Sequence, residues 1–212
     1  LYLGDVEKFS RYFDDPAVSA WVVQQSGGQT SLPAYLATRW PGHWRSFQLE
    51  RLREDGGWEA PILLEAISEG VVVNTYSGAM GDYVAALRPR LSKLDKAKAI
   101  VEAFSHIGKP YDFDFDFATD HALVCTELVW RIYRPAPGKA GLELPPVRVA
   151  GRTTLPANRL AELYAKQSGT EQAQLEFVSF IDASEKRKSA YFADEAAFRA
   201  SWKRPQWDFM QP

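Results

Sequence analysis

The sequence contains very little cysteine and no strong excess of either charge. Its 212 residues include a single cysteine, Cys125. One cysteine excludes an intrachain disulfide and any zinc site built from several thiolates. The 25 lysine and arginine residues nearly balance the 27 aspartate and glutamate residues, which gives a net charge of −2. Because there is no basic run or arm, nucleic acid is not expected as a partner.

Long apolar runs are also missing. No stretch approaches the roughly 18 residues that a transmembrane helix requires, and no charged-then-apolar signal segment is recognisable. The sequence opens at Leu1 without an initiator methionine, so we expect that a leader or an upstream region has been removed. With 46% apolar and 13% aromatic residues, the chain can bury the core of one large domain or of one domain with an appendage.

Hydrophobic periodicity and turn signals predict an α+β protein. Short strands at regular spacing indicate an antiparallel sheet or small barrel, flanked by helices. We predict strands at residues 1–9, from 43 onward, and at 60–67, 70–75, 82–88 and 175–181. We predict helices at residues 15–24, from Ser92 (with Asp95 completing a capping box) to about 107, from about 125 to 134, and at 156–167 and 194–202.

The stretch from Tyr111 to Arg134 contains Cys125 and combines two periodicities. Its first part alternates between two residue types, as an extended segment does: Phe113, Phe115 and Phe117 against Asp112, Asp114 and Asp116. Helical spacing of apolar residues then places Cys125 in or just before the first turn of an amphipathic helix. Free N–H groups and a partial positive charge there lower a thiol's pKa. Cys125 is therefore a candidate nucleophile, with a small buried hydrophobic residue as the alternative.

The three alternating aspartates also resemble the start of a calcium-binding loop. Such a loop has glycine at its sixth position and a bidentate glutamate at its twelfth. Those positions hold Phe117 and Leu123 here. The sequence therefore predicts no metal site in this stretch, and we expect the aspartates on the solvent face of a strand.

All three histidines, His43, His106 and His121, precede Cys125. The order found in papain, with cysteine first and histidine far downstream, is therefore excluded. His106 is expected near the C-terminal end of a helix, where the helix dipole stabilises an imidazolium. His121 is expected to cap or flank the helix of Cys125. His43 opens a predicted strand, which would hold a catalytic base rigidly.

Glu65 is the candidate for the carboxylate that orients a histidine base. It lies in an apolar strand sequence, Pro61 to Ile67, where a carboxylate is costly unless it has a partner. If residues 43–67 form a hairpin, Glu65 lies on the strand paired with that of His43. A constellation of Cys125, His43 and Glu65 is then geometrically possible.

Several short motifs occur in one order along the chain. They are Gly4-Asp5, His43 at a strand start, Leu64-Glu65-Ala66-Ile67 with Gly70-Val71, Leu87-Arg88-Pro89, Gly108-Lys109-Pro110-Tyr111-Asp112 and Cys125-Thr126-Glu127-Leu128-Val129-Trp130. In this order the chain resembles the YiiX/YaeF-like permuted papain-like cysteine hydrolases, relatives of the NlpC-type amidases. The motifs cover roughly residues 4–135. Bulky Trp44 and Arg45 after His43, and the long segment before it, depart from the family pattern and affect expected specificity.

The resemblance implies a circularly permuted papain-like fold, with residues 1–150 as the catalytic domain and residues 151–212 as a C-terminal extension packed on the same domain. It implies Cys125 as nucleophile, His43 as base and Glu65 as the polar third member. Tyr111 would contact the substrate or donate to the oxyanion. The implied reaction is amide or ester cleavage through an acyl-enzyme, without metal or organic cofactor. Expected substrates are small peptides, peptidoglycan fragments or lipid-like acyl compounds, and the expected compartment is the periplasm or cell envelope, with the cytoplasm as the alternative.

Two other functions fit the same residues. One is acyl transfer to a lipid acceptor instead of water, as in lipid acyltransferases of the wider permuted group. The other is a non-catalytic binding module, in which Trp40, Trp44 and Trp58 hold a ligand in the same cleft. Iodoacetamide separates the classes, because a low-pKa nucleophile is alkylated at mildly acidic pH much faster than an ordinary thiol.

Overall fold

The computed structural model describes residues 1–79, 81, 83–184 and 189–204. In chain order the helices are α1 (Val6–Tyr12), α2 (Pro16–Ser26), α3 (Leu32–Arg39), α4 (Pro41–Gln48), α5 (Lys93–His106), α6 (Cys125–Tyr133), α7 (Ala157–Gln167) and α8 (Glu195–Ser201). The strands are β1 (Arg51–Leu52), β2 (Trp58–Glu59), β3 (Pro61–Ile67), β4 (Gly70–Thr75), β5 (Val84–Pro89), β6 (Val147–Val149), β7 (Arg152–Thr154), β8 (Leu175–Ser184) and β9 (Ser189–Ala193). A 3₁₀ turn, Ser77–Ala79, follows β4.

The α+β class is confirmed, with small antiparallel sheets and helices. β1 pairs with β2, β3 with β4, and β6 with β7, while β8 lies between β5 and β9. The strands predicted at 60–67, 70–75 and 175–181 are confirmed as β3, β4 and the first part of β8. The strand predicted at 82–88 is present as β5, and its first predicted residue, Asp82, lies outside the described residues.

The chain forms two compact units. The first comprises Leu1–Met80 and Leu91–Thr154, and the second comprises Gly81–Arg90 and Leu155–Pro212. The first unit therefore contains α1 to α6 and the three two-stranded sheets. The second contains the three-stranded sheet with α7 and α8. The predicted division of the chain near residue 150 into a catalytic domain and an extension stays a prediction.

An aromatic core holds the helices of the first unit together. Phe9 of α1 has ring neighbours on α4, with centroid distances of 5.9 Å to Trp44 and 5.5 Å to Phe47. Phe104 of α5 lies 6.3 Å from each of those two rings. All four side chains are buried. Tilted and edge-to-face ring pairs of this kind stabilise the fold by more than the burial of their apolar area alone.

The predicted strand at residues 1–9 is wrong, because its last four residues, 6–9, belong to α1. Asp5 caps this helix, its carboxylate accepting a hydrogen bond from the Lys8 N–H at 2.8 Å. Such a cap satisfies one of the free N–H groups of a first turn. Only the first residues are extended, and they run beside β3, with Tyr2 opposite Leu63.

The strand predicted from His43 is also wrong, because Pro41–Gln48 form α4. Proline suits the first helical position, since its missing N–H has no partner there anyway. Trp44 and Phe47 are three residues apart and are both buried. Their spacing is therefore that of one helix face, although His-Trp-Arg-Ser-Phe-Gln-Leu also approximates an alternating pattern.

The predicted hairpin between a His43 strand and the strand of Glu65 is likewise wrong, because β3 pairs with β4. Gly70 makes the tight connection, with φ +104°, and a Cβ atom there would lie 2.4 Å from the carbonyl oxygen of Lys109. The Val71 N–H donates to that same oxygen at 2.8 Å, and the Gly108 N–H donates to the Val71 carbonyl at 2.8 Å. Two motifs distant in the sequence therefore touch through their backbones.

The predicted helix starting at Ser92 is confirmed as α5. The Ser92 hydroxyl accepts a hydrogen bond from the Asp95 N–H at 3.0 Å and donates to the Asp95 carboxylate at 2.5 Å. This cap and the buried apolar face of α5 agree with the sequence pattern.

In the described ranges, no helix is long and apolar enough to cross a membrane.

The second unit is built around β8. Phe198 of α8 packs against Phe180 of β8, with centroids 5.4 Å apart, and against Tyr164 of α7 at 5.3 Å. Asp182 of β8 is buried and accepts two hydrogen bonds from the Arg204 guanidinium, at 2.6 and 2.7 Å. A paired carboxylate of this kind is tolerated in an interior because its charge is compensated.

Candidate active site

Cys125 is the first residue of α6 and is exposed. The predicted position of the thiol at a helix start is therefore confirmed, and the alternative of a buried hydrophobic cysteine is wrong. The backbone N–H groups of Cys125 and Thr126 point to the sulfur and act to lower its pKa. These are the free N–H donors that the first turn of every helix presents.

The net pKa of the Cys125 thiol is nevertheless raised. The largest cause is the loss of water around the sulfur, which disfavours the charged thiolate. Although the residue as a whole is exposed, protein atoms cover part of its thiol, and the negative charge of Glu65 raises the pKa further. The sequence-based expectation of a lowered pKa is therefore wrong for the protein without substrate, because desolvation outweighs the helix N–H groups.

Glu65 lies near the middle of β3, as predicted, and its carboxylate acts on Cys125. In β3 the neighbouring Leu64 and Ala66 are buried on one face, which leaves half-buried Glu65 on the other. The structure therefore brings the predicted carboxylate and thiol into one electrostatic environment.

An amide side chain fixes Glu65. Asn74 Nδ2 donates to Glu65 Oε1 at 2.6 Å. Asn74 Oδ1 in turn accepts from the Thr75 N–H at 2.8 Å and from Arg51 Nη1 at 3.4 Å. Sequence reasoning missed Asn74 and Arg51. The available signal was a polar residue inside the apolar run Val71-Val72-Val73-Asn74, because a buried amide requires partners.

Tyr111 also lies at this site. Its pKa is raised, first by loss of surrounding water and then by the charges of Cys125 and Asp112. The backbone brings it there, since Tyr111 pairs with Leu123 in a parallel bridge and the Leu123 N–H donates to the Pro110 carbonyl at 3.0 Å. A phenol held in its neutral form can donate a hydrogen bond.

His43 has a hydrogen bond of its own to a backbone carbonyl. It is the third residue of α4, half-buried, and its Nδ1 lies 3.1 Å from the carbonyl oxygen of Phe104. A carbonyl only accepts, so this contact requires a proton on Nδ1. Within the described ranges, no hydrogen bond joins His43 to Cys125. The structure therefore brings together Cys125, Glu65 and Tyr111, and it does not join the predicted base to the thiol.

The two other histidines have different surroundings. His106 ends α5, as predicted, but both ring nitrogens are buried and, among the described residues, have no hydrogen-bond partner. Burial, followed by the charge of Lys109, lowers the pKa of His106, so the expected dipole-stabilised imidazolium is wrong. His121 is exposed in the segment before α6 and flanks that helix, as expected.

Residues 112–117 form a turn-rich loop and not the predicted strand. The buried carboxylate of Asp112 accepts from the N–H groups of Asp114, at 2.8 Å, and Asp116, at 3.1 Å. Side-chain acceptors of this kind compete with strand pairing for backbone donors. The expectation that all three aspartates lie on the solvent face of a strand is therefore wrong. Across the described part of the chain, no group of three or more His, Cys, Asp or Glu residues could hold a metal ion.

The three tryptophans considered as ligand contacts of a binding module differ in their exposure to solvent. Trp44 is buried in the aromatic core, whereas Trp58 is 66% exposed. Trp40 is half-buried, with its ring 6.5 Å from that of Phe104. Trp44 is therefore a core residue and not a ligand contact.

The chain matches the model of a protein family. The model of the family described as "Permuted papain-like amidase enzyme, YaeF/YiiX, C92 family" matches residues 51–179. Because this range is more than half of the chain, the protein belongs to the permuted papain-like amidases of the YaeF/YiiX type, and it is an enzyme of the hydrolase kind. No curated protein and no solved structure matches the chain.

The matched range includes three of the candidate site residues and leaves out the fourth. Glu65, Tyr111 and Cys125 lie inside residues 51–179, whereas His43 lies before them. The range also reaches farther toward the C-terminus than the motifs that suggested the resemblance, which end near residue 135. The three residues that share one environment are therefore the three inside the matched range.

Proposed function

We propose that this protein is a cysteine amidase that cleaves a peptide-like amide through an acyl-enzyme on Cys125. The observation that carries the proposal is an exposed thiol at the first residue of a helix, in one environment with Glu65 and Tyr111. All three residues lie in the range matched by an amidase family. Cysteine thiolates in such positions are effective nucleophiles once a base removes their proton.

The proposed reaction has two halves. A histidine base accepts the Cys125 proton, and the thiolate attacks the amide carbonyl carbon. The backbone N–H of Cys125 and the Tyr111 hydroxyl donate to the resulting oxyanion. When the C–N bond breaks, the imidazolium returns its proton to the leaving amine. Water, deprotonated by the same imidazole, then hydrolyses the thioester and restores the thiol. No step requires a cofactor.

His43 is proposed as the base, with Glu65 as the polar group that completes the constellation. The support is the tautomer of His43, since a proton on Nδ1 facing the Phe104 carbonyl leaves the Nε2 lone pair free to accept one. The raised thiol pKa supports the requirement for a base, because it favours the protonated thiol in the free protein.

The proposed fold is the permuted papain-like arrangement, in which histidine and glutamate precede cysteine along the chain. The order His43, Glu65, Cys125 and a cysteine at a helix start support it. Small peptides and peptidoglycan fragments contain the amides that the family description implies. Both therefore remain proposed substrates, and the periplasm or cell envelope remains the proposed compartment.

Substitution Cys125→Ala tests the nucleophile. We expect hydrolysis of p-nitrophenyl acetate and of 4-nitroacetanilide to fall by about 10³-fold or more, because the covalent route is lost. The wild-type protein should gain the mass of one acetyl group when quenched in acid during turnover. Equal rates for the wild type and Cys125→Ala would overturn the proposal.

Substitution His43→Gln tests the base. General acid–base catalysis contributes about 10²- to 10⁴-fold, so we expect a loss in that range, measured with the same two probes. His121→Gln is the matched control, since His121 is exposed and lies four residues before Cys125. Full activity of His43→Gln, together with an inactive Cys125→Ala, would assign the base to another group.

A further inference from the structure

The loop that leads into Cys125 exposes two phenylalanine rings. Phe113 is 69% exposed and Phe115 is 45% exposed. Both rings contact Tyr111, with centroids 5.0 and 6.0 Å away. We call Tyr111, Phe113 and Phe115 the aromatic cluster. Exposed apolar rings grouped beside a nucleophile leave favourable burial unused in the free protein.

The cluster belongs to a loop that its own polar groups hold in place. Asp112 binds two backbone N–H groups of the loop. Asp116 accepts from the Thr153 N–H at 3.3 Å, and Arg152 donates to the Asp114 carbonyl at 2.6 Å. At its other end, Phe117 is buried with its ring 5.5 Å from that of Trp130. The two rings are therefore presented to solvent by a fixed scaffold.

Phe115 has a backbone conformation that does not favour phenylalanine. Its φ is +53°, in the left-handed region where glycine and asparagine are preferred. A large side chain in this conformation costs free energy, and such costs concentrate at binding and catalytic sites. Strain at an exposed aromatic residue is typical of a ligand-binding position.

The geometry and charge of the cluster define the ligand chemistry. Tyr111 meets both other rings nearly edge to face, at 67° and 85°, so the three rings form one continuous apolar surface. The carboxylate of Asp114 is exposed but lies 3.4 Å from the Arg152 guanidinium, so this pair offers no uncompensated charge to a charged ligand. An uncharged apolar chain fits.

We propose that the aromatic cluster is the subsite for an uncharged, apolar acyl group carried on Cys125. The proposal rests on the proposed function for the identity of that group as the acyl part of the substrate. Its position follows from the backbone, because Tyr111 pairs with Leu123, two residues before Cys125, and the Tyr111 ring contacts the rings of Phe113 and Phe115. The cluster therefore selects substrates whose acyl part is apolar.

Alkylation of Cys125 tests the subsite without requiring turnover. The probes are iodoacetamide and N-octyl iodoacetamide, and the measurement is the ratio of their rate constants, followed by mass spectrometry on the single cysteine. We expect a ratio at least about tenfold above that of free glutathione, since each additional buried methylene favours the bound chain. In Phe113→Ser/Phe115→Gly the ratio should fall to within about threefold of glutathione.

Phe115→Gly keeps the loop conformation, because glycine adopts a positive φ readily. Phe192→Ser is the matched control, since Phe192 is 80% exposed on β9 and its variant should keep the wild-type ratio. A wild-type ratio equal to that of glutathione, or an unchanged ratio in the double variant, would overturn the subsite. A high ratio in a protein that shows no Cys125-dependent hydrolysis would retain the subsite and overturn the proposed function.

Discussion

The thiol of Cys125 experiences two opposing effects. The N–H groups of the first helical turn favour the thiolate, whereas desolvation and the charge of Glu65 favour the thiol, and the second effect is larger. The helix start was predictable from the spacing of Leu128, Val129, Ile132 and Tyr133. The desolvation was not, because it depends on side chains brought in from other parts of the chain.

Substitution Glu65→Gln should therefore lower the pKa of the Cys125 thiol. The carboxylate opposes ionisation of the sulfur, and the amide removes its charge while keeping its shape. The measurement is the iodoacetamide alkylation rate as a function of pH. In the wild type we expect its midpoint above that of an ordinary thiol. In Glu65→Gln we expect a lower midpoint than in the wild type.

Glu69→Gln is the control for this measurement, because Glu69 is an exposed carboxylate at the turn between β3 and β4. Its variant should retain the wild-type midpoint. A midpoint that stays in place or moves upward in Glu65→Gln would show that the carboxylate does not act on the sulfur.

At the scale of elements, α5 and β3 were predictable from the sequence, whereas α1 and α4 were predicted as strands. α5 carries its own start signal in Ser92 and Asp95, and β3 its apolar run. α4 was predicted as a strand because Phe47 and Leu49 alternate with polar residues, although Trp44 and Phe47 have the three-residue spacing of a helix face. The loop at 112–117 alternates in sequence, but the Asp112 carboxylate takes two of its backbone donors.

The position of α6 depends on a buried ion pair. Arg131 donates to Glu127 Oε1 at 2.8 and 2.7 Å and to the Thr119 carbonyl at 2.8 Å. Glu127 is fully buried, and its pKa is raised because burial outweighs the opposing effect of Arg131. The pair therefore ties the segment before Cys125 to the helix that begins with it.

Substitution Arg131→Met should lower the free energy of unfolding by about 3–5 kcal/mol, because it leaves a buried carboxylate unpaired. Denaturant unfolding measures the change. The double variant Glu127→Gln/Arg131→Met should lose less than the single variant. Arg11→Met, in the exposed pair with Glu7, should change stability by less than about 1 kcal/mol. A comparable loss in both single variants would contradict this role of burial.

For the whole molecule, local periodicity indicated strands but not their partners. β5 pairs with β8, Val84 lying opposite Ile181, and this places a segment from the middle of the chain in the second unit. Nothing in the five or six residues of a strand specifies a partner so distant in sequence. The register instead depends on which faces are buried in the assembled sheet.

The second unit should lose stability in acid. Hydrogen bonds from Arg204 hold the pKa of Asp182 below its usual range. A lowered carboxyl pKa contributes stability above the unfolded-state value, and this contribution is lost as the pH falls through the folded-state value. We expect Asp182→Asn to cost about 1.5–3 kcal/mol at neutral pH and to flatten the dependence of unfolding free energy on pH below about 4.

Denaturant unfolding at several pH values measures this effect. Asp194→Asn is not a suitable control because Asp194 caps α8. Asp14→Asn is suitable, since Asp14 is an exposed carboxylate in the segment between α1 and α2. An equally steep loss of stability in acid for Asp182→Asn and the wild type would assign the acid sensitivity to other carboxyls.

Gly78 lies in the turn after β4, and its lack of a side chain matters to the proposed catalytic carboxylate, Glu65. A methyl group at residue 78 would lie 2.5 Å from the Asn74 amide oxygen, and the same amide holds Glu65 through its nitrogen. Asn74 cannot withdraw without breaking its bonds to Thr75 and Arg51. Because Gly78 has no side chain, the Asn74 amide can stay in place and hold Glu65. Even alanine at residue 78 would therefore disturb the surroundings of Cys125, which it does not touch.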